Sequence, residues 1–106
     1  MITVAFQPEK EITPAELVMR MKRGEQVHVL DVREPLEWAE GHISGAKHIP
    51  LGQLPERFVE LDPEEELIVV CRSGGRSSLA CELLSERGYR VVNMTGGMLV
   101  WQDEVE

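Results

Sequence analysis

The apolar run Leu67-Ile68-Val69-Val70 ends directly on Cys71-Arg72-Ser73-Gly74-Gly75-Arg76-Ser77, and the next segment, Ser78 to Arg87, carries Leu79, Ala80, Leu83 and Leu84 at helical spacing. Four apolar residues in a row, three of them β-branched, read as a strand buried on both faces. A chain that passes from such a strand through a short loop into a helix belongs to an α/β architecture, where helices cover a parallel sheet. The same order fixes the loop's electrostatics. Backbone N–H groups converge at the mouth of a helix, and its dipole is positive there. A cysteine at that mouth is in conditions that favour its thiolate, the nucleophilic form.

The rest of the chain repeats the alternation. Ile2 to Phe6 suits a short strand or an extended arm. Thr13-Pro14-Ala15-Glu16 is a helix start, with Thr13 as N-cap, Pro14 in the first turn and Glu16 closing a capping box. That helix presents Leu17, Val18 and Met21 inward and ends near Gly24. Val27 to Val32 is a strand. Pro35 to Ala39 suits a helical turn, Ala46 to Ile49 a short strand, and Leu51 to Leu61 a short helix with Leu54, Phe58 and Leu61 on one face. Gly88 is placed to end the helix that follows the cysteine loop. Val91 to Met94 is a last strand, and Gly97 to Trp101 a final short helix. In such sheets ligands bind at the carboxyl ends of strands, which is where Cys71 falls.

The 106 residues, 42% of them hydrophobic, suffice for one domain with its own core. No apolar stretch has the ~18 residues of a membrane-crossing helix. The N-terminus lacks the basic and apolar regions of a signal peptide, so a cytoplasmic location is expected. A net charge of −8 argues against nucleic acid as a partner, because phosphate contacts need a basic face. No membrane partner is expected either. Cys71 and Cys81 are ten positions apart, which is neither a redox pair nor a zinc-ligand spacing, and His28, His42 and His48 show no metal spacing with them. No metal is expected.

The two cysteines read differently. Cys81 lies among apolar helix residues and suits a small core hydrophobe. After Cys71 come Arg72, Ser73, Gly74, Gly75, Arg76 and Ser77, none of which serves a core. The glycines allow successive N–H groups to turn inward as an anion nest. Ser73 and Ser77 offer hydroxyl donors, and the arginines bring positive charge. These features lower the thiol pKa and hold an anionic substrate beside the nucleophile. Cys71 is therefore the expected catalytic residue and Arg72 to Ser77 the expected substrate-binding loop. Arg72 is the expected anion contact. Arg76 either contacts the anion or turns back to brace the loop against a carboxylate. Asp31 and Arg33 suit a bracing salt bridge, His42 a hydrogen-bonded structural role, and Trp38 and Trp101 packing.

The loop Cys71 to Ser77 resembles the active-site loop of rhodanese-like sulfurtransferases. Leu30-Asp31-Val32-Arg33-Glu34, Gly41-His42-Ile43-Ser44-Gly45-Ala46 with Ile49-Pro50, and Gly96-Gly97 with Trp101 are similar to the family's other signatures, in order and spacing. The resemblance implies a single rhodanese-like domain over residues 1–106, with a roughly five-stranded, mostly parallel sheet flanked by helices on both faces. Four residues separate Cys71 from Arg76, and Val70 precedes the cysteine. Cysteine phosphatases place five residues there and a histidine before the cysteine, so the shorter loop resembles the sulfur-handling form.

The resemblance further implies ping-pong transfer of sulfane sulfur through a Cys71 persulfide. The donor is a small anion such as thiosulfate, or another persulfide. The acceptor is cyanide, a small thiol or a protein thiol. No cofactor is needed, because the cysteine carries the sulfur covalently. The alternative is a relay or docking module loaded by a protein partner, with weak thiosulfate activity.

Overall fold

The computed structural model describes residues 10–106. Five strands, β1 (Lys10–Ile12), β2 (His28–Asp31), β3 (Lys47–His48), β4 (Leu67–Val70) and β5 (Val91–Met94), pair in parallel in the order β1-β5-β4-β2-β3. The helices are α1 (Pro14–Lys22), α2 (Pro35–Ala39), α3 (Leu54–Arg57) and α4 (Gly75–Glu86). The central strand β4 is apolar at all four positions because both its faces are covered. Leu67 and Val69 face a cluster with Leu30, Leu54, Leu61, Ala80, Cys81 and Leu84. Ile68 and Val70 face the opposite cluster, with Leu17 of α1, Val29, Ile43, Val92 and Met94. The period of two along the strand thus gives the sheet two cores.

Helix α1 starts as its sequence dictates. The Thr13 hydroxyl accepts the Glu16 N–H at 3.1 Å, and the Glu16 carboxylate accepts the Thr13 N–H at 2.9 Å. Leu17 is its fully buried residue.

Elsewhere the structure departs from the sequence pattern. The strand or arm expected over Ile2 to Phe6 lies outside the described residues. The first described strand is β1, whose Lys10 and Glu11 face solvent while Ile12 enters the core. A charged edge strand of three residues shows no apolar period. Leu51 to Leu61 is broken into a 3-10 turn (Leu51–Gln53), helix α3 and a second 3-10 turn (Phe58–Glu60), with Leu54 and Leu61 still buried. The final helical segment is also a 3-10 turn, Gly97–Val100.

The largest departure concerns α4, which begins at Gly75, three residues earlier than the apolar spacing suggests. Gly74 adopts φ 109°, a left-handed conformation open to glycine, and caps the helix there. Gly75, Arg76 and Ser77 are consequently helical rather than loop residues. The buried stripe of α4 is Ser77, Ala80, Cys81 and Leu84, whereas Leu79 is exposed. A hydroxyl therefore occupies the first position of a core-facing stripe.

Candidate active site

Cys71 follows Val70 and continues the alternation of Leu67 and Val69, so its side chain enters the face covered by α4. It is fully buried at the carboxyl end of the central strand. Its Sγ accepts the Gly74 N–H at 3.0 Å and lies 3.3 Å from the Ser77 Oγ. Burial pushes the thiol pKa up. Hydrogen bonds from the Ser77 hydroxyl and from the N–H groups of Ser77, Gly74 and Ser73 outweigh it, and the net direction is down from 9.0. Neither cysteine is in a disulfide, and Cys81 is buried in the same core.

The expected loop residues separate into distinct places. Arg72, Ser73 and Gly75 are exposed, Gly74 is half-buried, and Ser77 is buried. Arg72 lines a cavity of about 180 Å³ with Arg33, Glu37, Glu40, Met98 and Leu99. Two larger clefts of about 490 Å³, one along β1 and α1 and one between α1 and the C-terminal segment, include no residue of the cysteine loop. The small cavity borders the cysteine loop through Arg72, so chemistry rather than size selects it.

Between the two alternatives for Arg76, the structure holds the brace. Its guanidinium meets both carboxylate oxygens of Glu37 in α2, at 2.6 and 2.7 Å. The Arg76 hydrogen bonds hold the Glu37 carboxyl at about 2, far below 4.5. This fork ties the first turn of α4 to α2 across the mouth of the site. Asp31 and Arg33 form a second, buried pair at the end of β2. The Arg33 guanidinium meets Asp31 at 2.8 to 3.0 Å and also donates to the Gly41 carbonyl at 2.8 Å.

His42 and His48 both stack on the Trp38 ring, at 3.4 and 4.6 Å between centroids. The His42 Nδ1 lies 3.0 Å from the Trp38 carbonyl oxygen, and the His48 Nε2 lies 2.7 Å from that of Arg33. Trp101 packs against the core on the α1 face. These residues build walls. Among the described residues, no group of three or more His, Cys, Asp or Glu side chains is placed to hold a metal ion. No described helix is long and apolar enough to cross a membrane.

Three site residues escape a reading of the cysteine loop alone. Gly97 takes φ 61°, and a Cβ there would lie 2.4 Å from the Arg72 carbonyl oxygen. This approach lets the N–H groups of Met98 and Leu99 donate to the carbonyls of Cys71 and Arg72, at 2.8 and 2.9 Å. Glu37 is the carboxylate that holds Arg76. Asn93 of β5 places its Oδ1 2.5 Å from the Ser77 Oγ. The signal for Asn93 was a single polar residue inside the apolar run Val91-Val92-Asn93-Met94.

Comparison with known proteins bears on the family and the fold. A profile of the rhodanese-like domain matches residues 13–104. YtwF of Bacillus subtilis, provisionally named a sulfurtransferase, is 42% identical over 97 residues, covering 92% of this chain and 94% of YtwF. A protein named sulfurtransferase from Allochromatium vinosum is 38% identical over 92 residues, covering 86% of each chain. The crystal structure of a rhodanese-like domain protein from Staphylococcus aureus superposes with a TM-score of 0.87 at 37% identity, covering 92% of this chain and 96% of that one.

Proposed function

The chain belongs to the rhodanese-like domain family, a family of sulfurtransferases, and from that premise we propose that it moves sulfane sulfur through a persulfide on Cys71. The observation that carries this reading is the buried Sγ accepting the Gly74 N–H at 3.0 Å, at the start of α4. A thiolate there is stabilised by aligned donors and by the helix dipole.

With thiosulfate as donor, the Cys71 thiolate attacks the outer sulfur. The S–S bond of thiosulfate breaks and sulfite leaves with the electron pair. Cys71 then carries a persulfide anion, held by the same N–H groups in the manner of an oxyanion hole. A thiophilic acceptor such as cyanide attacks the terminal sulfur, takes it as thiocyanate and returns the thiolate. Neither step requires a general base once Cys71 is in its thiolate form, which the loop's donors favour. Arg72 is the anion contact in this scheme, because Arg33 and Arg76 are each committed to a carboxylate.

Thiocyanate formation from thiosulfate and cyanide tests the proposal. Wild type turns over and Cys71→Ala loses all activity above background; equal rates would end the enzyme reading. Intact mass after thiosulfate treatment adds a direct readout, with one sulfur gained on wild type and none on Cys71→Ser. Exposed Leu99 at the rim and Leu36, next to Glu37, favour a second reading in which a protein partner loads Cys71. Sulfur gained from a protein persulfide but not from thiosulfate would select it.

A further inference from the structure

Asn93 has no part in the scheme above, yet it is the buried polar side chain nearest to the partner of the nucleophile. Strand β5 alternates, with Val92 and Met94 in the core of the α1 face and Asn93 on the side of α4. Asn93 pairs in register with Val69 of β4, two positions before Cys71. It is 5% exposed. Its amide has one satisfactory orientation. With Oδ1 toward Ser77 Oγ at 2.5 Å, its Nδ2 faces the Gly74 carbonyl oxygen at 3.5 Å. Turned over, it would set Oδ1 against that carbonyl, acceptor against acceptor.

The Ser77 hydroxyl carries a single proton and has three acceptors within reach: Asn93 Oδ1, the Gly74 carbonyl at 3.1 Å and the Cys71 Sγ at 3.3 Å. While Cys71 is a thiol, its S–H donates to Ser77 Oγ and Ser77 donates onward to Asn93. When Cys71 ionises, its own proton passes to solvent, and Sγ then needs the Ser77 O–H that is donated to Asn93. We propose that Asn93 is a positioning residue that competes with Cys71 for the Ser77 hydroxyl, so that forming the thiolate requires the Ser77 O–H to turn from β5 to the sulfur. The inference rests on Cys71 being the nucleophile and adds what restrains it in the resting state. The charged groups around Cys71 are Arg72 beside it, Arg76 of α4 held by Glu37, and the Asp31–Arg33 pair at the end of β2. β5 contributes the neutral Asn93.

Alkylation of Cys71 by iodoacetamide, followed peptide by peptide so that Cys81 is counted separately, tests this below the midpoint pH, each rate being divided by the same variant's high-pH plateau so that access to the buried sulfur cancels and the ratio follows the thiolate fraction. Asn93→Leu removes the competing acceptor and is expected to raise the rate about fivefold. Asn93→Asp keeps the shape and strengthens the acceptor, and is expected to lower the rate. Ser77→Ala lowers the rate and abolishes the effect of Asn93→Leu in the double variant. A rate within about twofold of wild type for Asn93→Leu, or the same change with and without Ser77, would overturn the proposal. Should Asn93→Leu not fold, Asn93→Asp in the two Ser77 backgrounds decides: equal slowing in both means charge repulsion alone and overturns it. The readout does not involve sulfur transfer. Loss of thiosulfate turnover with the alkylation pattern intact would therefore count against the proposed function and not against Asn93.

Discussion

Cys71 combines two properties that usually exclude one another, full burial and a lowered pKa. Burial disfavours the thiolate, and the loop's N–H groups and Ser77 reverse that preference. The consequence for stability has a definite sign. A group whose folded pKa lies below its unfolded value near 9.0 adds stability as pH rises from the lowered value toward 9.0, because the unfolded chain then binds more protons. Wild type is accordingly expected to gain urea resistance relative to Cys71→Ser across that interval and to lose the advantage on acidification. Glu37 is the carboxylate counterpart. Its contribution is present above about 4.5 and is lost as pH falls through about 2. Glu37→Gln is expected to cost about 1 kcal/mol at neutral pH, the half-open position of the pair keeping the figure small. Denaturation at pH 7 and at pH 3 would show the difference shrinking in acid.

Among the elements, the 3-10 turn Gly97–Val100 matters more to the site than its length suggests. It docks on the cysteine loop through two backbone hydrogen bonds and leaves no room for a side chain at Gly97. Gly97→Ala combines a left-handed φ with a clash against backbone, and is expected to destabilise by about 2–3 kcal/mol and to slow Cys71 alkylation. Helix α1 offers a control far from the chemistry. Thr13→Ala removes the cap and is expected to cost about 1 kcal/mol with no change in the Cys71 alkylation rate. Thermal unfolding and alkylation, measured on both variants, separate the two effects. The capping box of α1 was legible because its partners are three residues apart. The start of α4 was not, because it depends on the backbone of Gly74 and on a buried serine that looks polar in sequence.

Over the whole molecule, the sheet divides two cores, and β4 belongs to both. Ile68→Ala empties a fully buried position on the face away from Cys71 and is expected to cost about 2–5 kcal/mol, read as a shift of the urea midpoint. The α/β class and the parallel sheet were readable from β-branched runs alternating with helical spacing and short connections. The placement of Cys71 at a strand's end followed from its adjacency to Val70. These depend on near neighbours in the chain, and local periodicity and turn chemistry record them. Chain order alone therefore shows which thiol stands at the mouth of a helix and which motifs surround it. Only the packed fold brings Arg76 to Glu37, 39 positions away. It also decided that Gly97 lies under Arg72, and that Asn93 meets Ser77 beside the sulfur. A side chain with several partners within reach is settled by which strand the fold sets next to it, and that choice is made by packing rather than by spacing along the chain.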